Sequence, residues 1–328
     1  MHMGGLTALM EHLRTDCPVL VQAHDFPDHD AVGTAFALAN LLEAHGYAVS
    51  LGYGGTIQSE SLRDAIKALE IEIHQVGELE LTEETQIIVV DGFAGNSNMM
   101  GVAGVVVAVI DHHPPPYPAE CAYVDIRDDY GSCSTILFEY YRTAERELED
   151  NVATALLMGL MMDTAFMTRG VAEVDLTAFG TLFRIGDWQL AARLLRNSLS
   201  LGDLAVFRQA IDSCVVARSF AFIALQGEYS AEVMALIADF FLQLREIHFV
   251  AVVSGDRDEH RLSVRSEAPE HPCDLVIHRA LDGVGAGGGH IHMGGGAIPR
   301  YLYPGDEGLR KRFIGALGFD REDNPPNE

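Results

Sequence analysis

Apolar runs that end in acids or histidines constrain this chain most. Val19-Leu20-Val21, Tyr47 to Leu51, Gln86-Ile87-Ile88-Val89-Val90 and Val105 to Ile110 are short and dominated by hydrophobic residues. Between the first two runs, Ala35 to about His45 has helical character and stops at Gly46; Ser61 to Leu69 reads as the next helix. Residues 6–15 read as a helix ahead of the first strand. Strands buried on both faces and joined by helices form a parallel sheet. Further helices follow at Ser134 to about Glu147, Asn151 to about Ala165 and twice within 171–196. From about residue 214 the pattern changes. Strands at Phe220–Leu225, Phe249–Val253 and Arg261–Ser266 alternate with helices at Glu232–Leu244 and 273–281. A chain of 328 residues exceeds the usual size of one core. The fold class is therefore α/β, with a parallel-sheet N-terminal domain and a smaller α/β C-terminal domain.

In open parallel sheets, ligands bind beyond the carboxyl ends of the strands. That edge is chemically loaded here. The first run leads into His24-Asp25-Phe26-Pro27-Asp28-His29-Asp30, the third ends in Asp91-Gly92, and the fourth in Asp111-His112-His113. Like charges this close cannot all ionise without a cation between them. Carboxylate and imidazole are the ligands of divalent metals. Any one of these turns could be a capped polar loop; three runs ending alike point to a shared site. Asp163 follows the nearly all-apolar stretch Ala155 to Met162, and a carboxylate on a buried helix needs a partner or a metal.

The net charge of −26 comes from 22 basic against 48 acidic residues, and the only lysines are Lys67 and Lys311. Binding long nucleic acid depends on many phosphate contacts, so any phosphate-bearing substrate should be short. Cys17, Cys121, Cys133, Cys214 and Cys273 form no CxxC pair and read as reduced thiols. No run approaches the length of a bilayer span and no signal peptide is visible, so the expectation is a cytoplasmic protein with no membrane partner.

In the second domain, alternation puts Leu262 and Val264 on one face of their strand and Ser263 and Arg265 on the other. Beyond it, Gly283 to Gly289 leads to His290, and Met293 is followed by Gly294-Gly295-Gly296. Glycine runs let backbone N–H groups approach an anion, although most are flexible loops.

Taken in order, His24-x-x-x-Asp28-x-Asp30-x-x-Gly33, Asp91, Asp111-His112-His113, Asp163-Thr164, Arg265-Ser266 and Gly287-Gly288-Gly289-His290 resemble the DHH phosphoesterase superfamily over roughly residues 15–300. The similarity is to the stand-alone members with a DHH-associated C-terminal domain, among them nanoRNases/pAp phosphatases and linear-dinucleotide phosphodiesterases, with RecJ-like exonucleases as relatives. The resemblance implies a DHH catalytic domain over 1–185, a helical linker over 186–212, a substrate-binding domain over 213–320 across a cleft, and a disordered tail over 321–328. It implies two divalent ions, most often manganese. His24, Asp28 and Asp91 would hold one; Asp30, Asp91, His112 and Asp163 the other. His113 would sit by the scissile phosphate, with Asp111 orienting neighbouring histidines. Arg265, Ser266, Gly288, Gly289 and His290 would bind the substrate's far end, while Ser132, Ser134 and Thr135 match a small-hydroxyl stretch. The implied activity is hydrolysis of short oligonucleotides or linear dinucleotides to mononucleotides, with pAp 3′-phosphatase activity as a related use of the site. A homodimer is compatible with it. The alternatives are a family II-type inorganic pyrophosphatase and a non-hydrolysing nucleotide-binding regulator. Position 29 departs from the pattern: the family usually has Gly where this chain has His29, which could crowd the site, add a ligand or meet substrate. Ile291 and His292 after His290 also depart, which weakens any inference about substrate choice.

Overall fold

The computed structural model describes residues 5–319 except positions 97, 116, 117, 119, 197, 198, 256 and 257, so the expected tail at 321–328 lies outside the described residues. The chain divides into two compact units, Met1–Ser198 and Leu199–Glu328.

The first unit contains β1 (Val19–Ala23), β2 (Val49–Tyr53), β3 (Ile73–Gln75), β4 (Gln86–Val90), β5 (Val105–Asp111) and β6 (Tyr123–Ile126). They pair in parallel in the order β3-β2-β1-β4-β5-β6. Strand order runs outward in one direction from β1 and in the other from β4, so the two form a switch point with the crevice above them. The helices are α1 (Leu6–Met10), α2 (His29–Glu43), α3 (Glu60–Ala68), α4 (Cys133–Thr143), α5 (Asp150–Asp163), α6 (Glu173–Ile185) and α7 (Trp188–Arg196).

Both faces of the sheet are buried, as the continuous apolar runs require, but helices from this set supply only one cover. Val21, Ile88, Val90 and Ile110 join residues of α2, α4 and α5 in the main core. On the other face Leu20, Ile87, Val89 and Val109 meet Val76 and Phe93, which lie outside the α-helices. Right-handed crossovers explain this, because reversing direction at the switch point sends the β4–β5 connection to the opposite face.

Small residues set the helix spacing. A Cβ on Gly33 of α2 would lie 2.8 Å from the Ala155 carbonyl oxygen of α5. One on Gly159 of α5 would lie 2.3 Å from Ser134 Oγ and 2.6 Å from Asp30 Oδ1. Glycine at these positions lets α2, α4 and α5 converge on Asp30.

The second unit contains α8 (Asp203–Ser213), β7 (Val215–Ala217), β8 (Phe220–Leu225), α9 (Ala231–Leu242), β9 (Phe249–Gly255), β10 (Glu259–Ser266), α10 (Cys273–Leu281), β11 (Ala286–Gly289), β12 (Met293–Pro299) and α11 (Asp306–Ala316). The sheet order is β11-β12-β10-β9-β8-β7, antiparallel except for β8 with β9. Helices α8 and α9 pack on one face, α10 and α11 on the other. Leu262 and Val264 belong to the α10–α11 side, as their alternation implies.

Within the segment expected as a helical linker, 186–212, α7 adds Ala191 and Leu195 to the core of the first unit, and α8 adds Val206 and Ala210 to a core of the second. One expectation needs correction. The glycine runs are not a loop but a paired hairpin, with Gly287 opposite Gly296, Gly288 opposite Gly295 and Gly289 opposite Gly294. Most of these glycines are sterically required. A Cβ at 287, 289, 294 or 296 would fall within 3.0 Å of a backbone oxygen of the hairpin itself, whereas one at 288 would meet nothing within 4 Å.

Candidate metal centre

The residues beyond β1, β4 and β5 converge with the end of α5. Asp28 is the N-cap of α2: its Oδ1 accepts from the N–H groups of Asp30 at 2.9 Å and Ala31 at 3.0 Å, leaving Oδ2 on the side of His24. Asp30 is fully buried and sits at the start of α4, where Oδ2 accepts from Cys133 N at 2.7 Å and Oδ1 from Ser134 N at 2.9 Å. A helix N-terminus favours a carboxylate held in this way. Ser132 caps the same helix by accepting from Thr135 N, and the buried Asp175 accepts from Gly131 N and Thr135 Oγ1. The small-hydroxyl stretch therefore builds the platform under Asp30.

The histidines are oriented from behind. His24 Nδ1 lies 2.8 Å from the Asp25 carbonyl, and His112 Nδ1 lies 3.2 Å from the Tyr130 carbonyl. A carbonyl can only accept, so each Nδ1 carries the proton and donates it, and each Nε2 faces the acids. His24 Nε2 is 3.7 Å from Asp91 Oδ2 and 4.0 Å from Asp28 Oδ2. His112 Nε2 is 3.7 Å from Asp91 Oδ1 and 3.1 Å from Asp163 Oδ2. Asp91 thus turns one oxygen to each histidine. It does so from a left-handed backbone conformation (φ 51°), which costs a non-glycine residue about 1 kcal/mol and which Asp tolerates better than most.

The expected metal ligands therefore meet in one place. Ligand atoms of His24, Asp28 and Asp91 lie within 4.8 Å of one another, and so do those of Asp30, Asp91, His112 and Cys133. Burial, then Asp28, pushes the Asp91 carboxyl up to about 6. Burial, then Asp163 and Asp91, holds Asp30 well above the carboxylate range. Burial opposes charge on His24 and His112, yet the neighbouring acids leave both above the ordinary imidazole value. Asp91 Oδ1 is buried with no hydrogen-bond partner. Acids that resist ionising, beside histidines that hold protons, lack positive charge. Divalent cations fit this donor set.

His113 is positioned differently. Its Nδ1 and its backbone N–H both meet Asp111 Oδ1, at 2.7 and 3.1 Å, and its side chain is partly exposed. Asp111 orients it, as expected. Burial opposes charge on His113, but the Asp111 bond and then Asp91 raise its value.

His29 turns away from this cluster of ligand atoms. It is buried at the start of α2, with Nε2 3.2 Å from Ser61 Oγ of α3, and burial lowers it to about 4. Phe26 stands half exposed at φ 55°. A Cβ on Gly55 would fall 2.8–3.0 Å from its ring.

In the second unit, Arg265 is buried and its Nε bonds Asp239 Oδ1 at 2.9 Å, while Nη1 bonds the Val264 carbonyl at 3.0 Å. Ser266 Oγ donates to the His271 carbonyl at 2.8 Å and accepts from Ala268 N at 3.2 Å. Ser266 is fully buried and its hydroxyl is committed to its own turn. His290 N donates to Met293 O across the hairpin end, beside Gly288 and Gly289.

Residues 18–160 match the model of the DHH family, N-terminal domain. It is similar to an uncharacterized protein of Methanocaldococcus jannaschii, 25% identical over 318 residues, covering 93% of this chain and 65% of that protein. It is also similar to a probable manganese-dependent inorganic pyrophosphatase of Lactobacillus delbrueckii subsp. bulgaricus, 28% identical over 172 residues and covering 51% of this chain and 54% of that one. Among solved structures, an exopolyphosphatase-related protein from Bacteroides fragilis shares the fold at a TM-score of 0.76 and 20% identity, over 97% of this chain and 98% of that one.

Proposed function

We propose that this chain is a metal-dependent phosphoesterase using two divalent ions, most often manganese, to hydrolyse short oligonucleotides or linear dinucleotides to mononucleotides. The observation that supports it most is Asp91, whose two oxygens face two separate groups of ligand atoms. His24 and Asp28 would hold one ion with Asp91; Asp30, His112 and Asp163 would hold the other with it. When bound, such a pair supplies Lewis-acid stabilisation of phosphoryl charge and a nucleophile from water. The chain's own residues do the rest. Asp30, fixed by the start of α4, and the two histidines, fixed by carbonyls behind them, keep the donors in place without reorganisation. His113, bonded to Asp111 and partly exposed, is placed to donate a proton or hydrogen bond to a phosphate oxygen. Arg265, Gly288, Gly289 and His290 would meet the far end of the substrate. For Arg265 that means trading the Asp239 carboxylate for phosphate, an exchange suited to a planar guanidinium. The acidity of the chain favours short substrates.

Removal of the 3′-phosphate from pAp would use the same groups. A second reading is inorganic pyrophosphatase, favoured by the relatives of that name, which match about half of this chain.

The test incubates the purified chain with manganese and pGpG, pApA, a short RNA ladder, pAp or pyrophosphate. Mononucleotide release that EDTA stops is the expected result, and Asp91→Asn should lower it at least ~10³-fold, a loss of more than ~4 kcal/mol of transition-state stabilisation. Asn keeps the left-handed backbone within reach, so the loss would report charge and not strain. Turnover of pyrophosphate alone would select the second reading. Tight dinucleotide binding without turnover would indicate a regulator.

A further inference from the structure

We propose that Cys133 is a ligand of the second ion, which makes that position a mixed oxygen–nitrogen–sulfur site suited to zinc- and cobalt-class cations. The inference deepens the two-ion reading and rests on it. A buried cysteine at the start of a helix is ordinarily a small core residue. Two independent observations set this one apart. The ligand atoms of Asp30, Asp91, His112 and Cys133 lie within 4.8 Å of one another, and all four side chains are buried. Asp91 Oδ1, one member of that group, is buried without a hydrogen-bond partner.

The thiol has no strong competing use. Its nearest acceptors, the Ile110 carbonyl and Asp111 Oδ1, are each 3.9 Å away, too far for more than a weak contact. The backbone N–H of the same residue holds Asp30 Oδ2, so the carboxylate and the thiol are fixed by one residue at one helix start. Ligands at ~2.0–2.3 Å from an ion lie roughly 3–3.5 Å apart, which a small inward movement of these four atoms would reach, with Asp163 as a fifth donor to the same ion. Ion binding would replace the thiol proton, which leaves to solvent, and form the metal–sulfur bond. A thiolate is a soft donor and shifts preference away from magnesium towards zinc and cobalt. Asp163, 3.1 Å from His112 Nε2, stands beside this group.

The test is spectroscopic and needs no turnover. The full chain is stripped with chelator and loaded with cobalt(II). A near-ultraviolet thiolate-to-cobalt charge-transfer band is expected. It should vanish in Cys133→Ser, persist in Cys17→Ser and Cys273→Ser, and leave the visible d–d bands of bound cobalt in all of them. Bound cobalt without the charge-transfer band, or a band unchanged by Cys133→Ser, would overturn the proposal and leave the two-ion reading standing. Failure of the native chain to bind cobalt or manganese at all would overturn both. Should Cys133→Ser fail to fold, X-ray absorption of the native zinc-loaded chain decides: a sulfur neighbour at ~2.3 Å supports the ligand, and only nitrogen and oxygen neighbours refute it.

Discussion

His29 and its neighbours obey different rules although they share one turn. Asp28 and Asp30 are held by backbone N–H groups, the first by the opening turn of α2 and the second by the start of α4. His29, between them, turns away to Ser61 and stays neutral. Its value, lowered by burial to about 4 from an ordinary 6.5, fixes the sign of its effect on stability. The unfolded chain binds the extra proton first. The stability His29 gives is complete above pH 6.5 and is lost as pH falls towards 4, on the order of 3 kcal/mol in all. His29→Gln should flatten the acid limb of urea-unfolding stability between pH 6.5 and 4.5 by roughly 2 kcal/mol, with metal content unchanged. A fall in metal content would return His29 to the centre. Residue types and spacing made the convergence of His24, Asp28, Asp30, Asp91, His112 and Asp163 legible, because each stands at one end of a strand or helix. They could not reveal His29's direction, since that depends on where α3 lies.

Among the elements, legibility followed side-chain pattern. Strands β1, β4 and β5 announce themselves through the unbroken apolar runs Val19–Val21, Ile87–Val90 and Val105–Ile110. The three-residue β3 and β7 are too short for any period to register. Strands β11 and β12 are built of glycine, which has no side chain to alternate and a low preference for strands. Helix α5 reads as apolar all round, but nothing in that pattern marks Gly159 as the contact point for Asp30 and Ser134. Gly159→Ala would force a methyl to 2.6 Å from Asp30 Oδ1. We expect it to destabilise the chain by about 1–3 kcal/mol through overpacking, despite alanine's better helix propensity, and to weaken manganese binding measured by calorimetry. Unchanged affinity would mean the helices part without moving Asp30.

For the whole molecule, metal and proton compete for the same charge deficit. Asp91 is raised from an ordinary 3.8 to about 6, so its contribution to the metal-free chain is present at low pH and lost as pH rises through 6. Asp30, Asp163, His24 and His112 are displaced in the same direction. A divalent ion bound there would replace those protons, so any rise in Tm on adding manganese should be small at pH 5 and grow by several degrees by pH 7.5. The effect of His29 cancels in that difference. A manganese increment that stays flat over this range would place the ion elsewhere. Among the described residues no helix is long and apolar enough to cross a membrane. Room for future change is unevenly distributed over such a chain. In the glycine hairpin, any side chain at 287, 289, 294 or 296 would strike the hairpin's own backbone, while position 288 opens onto free space. If descendants of this sequence acquire a new preference along that edge, position 288 is where the first substitution can be tolerated.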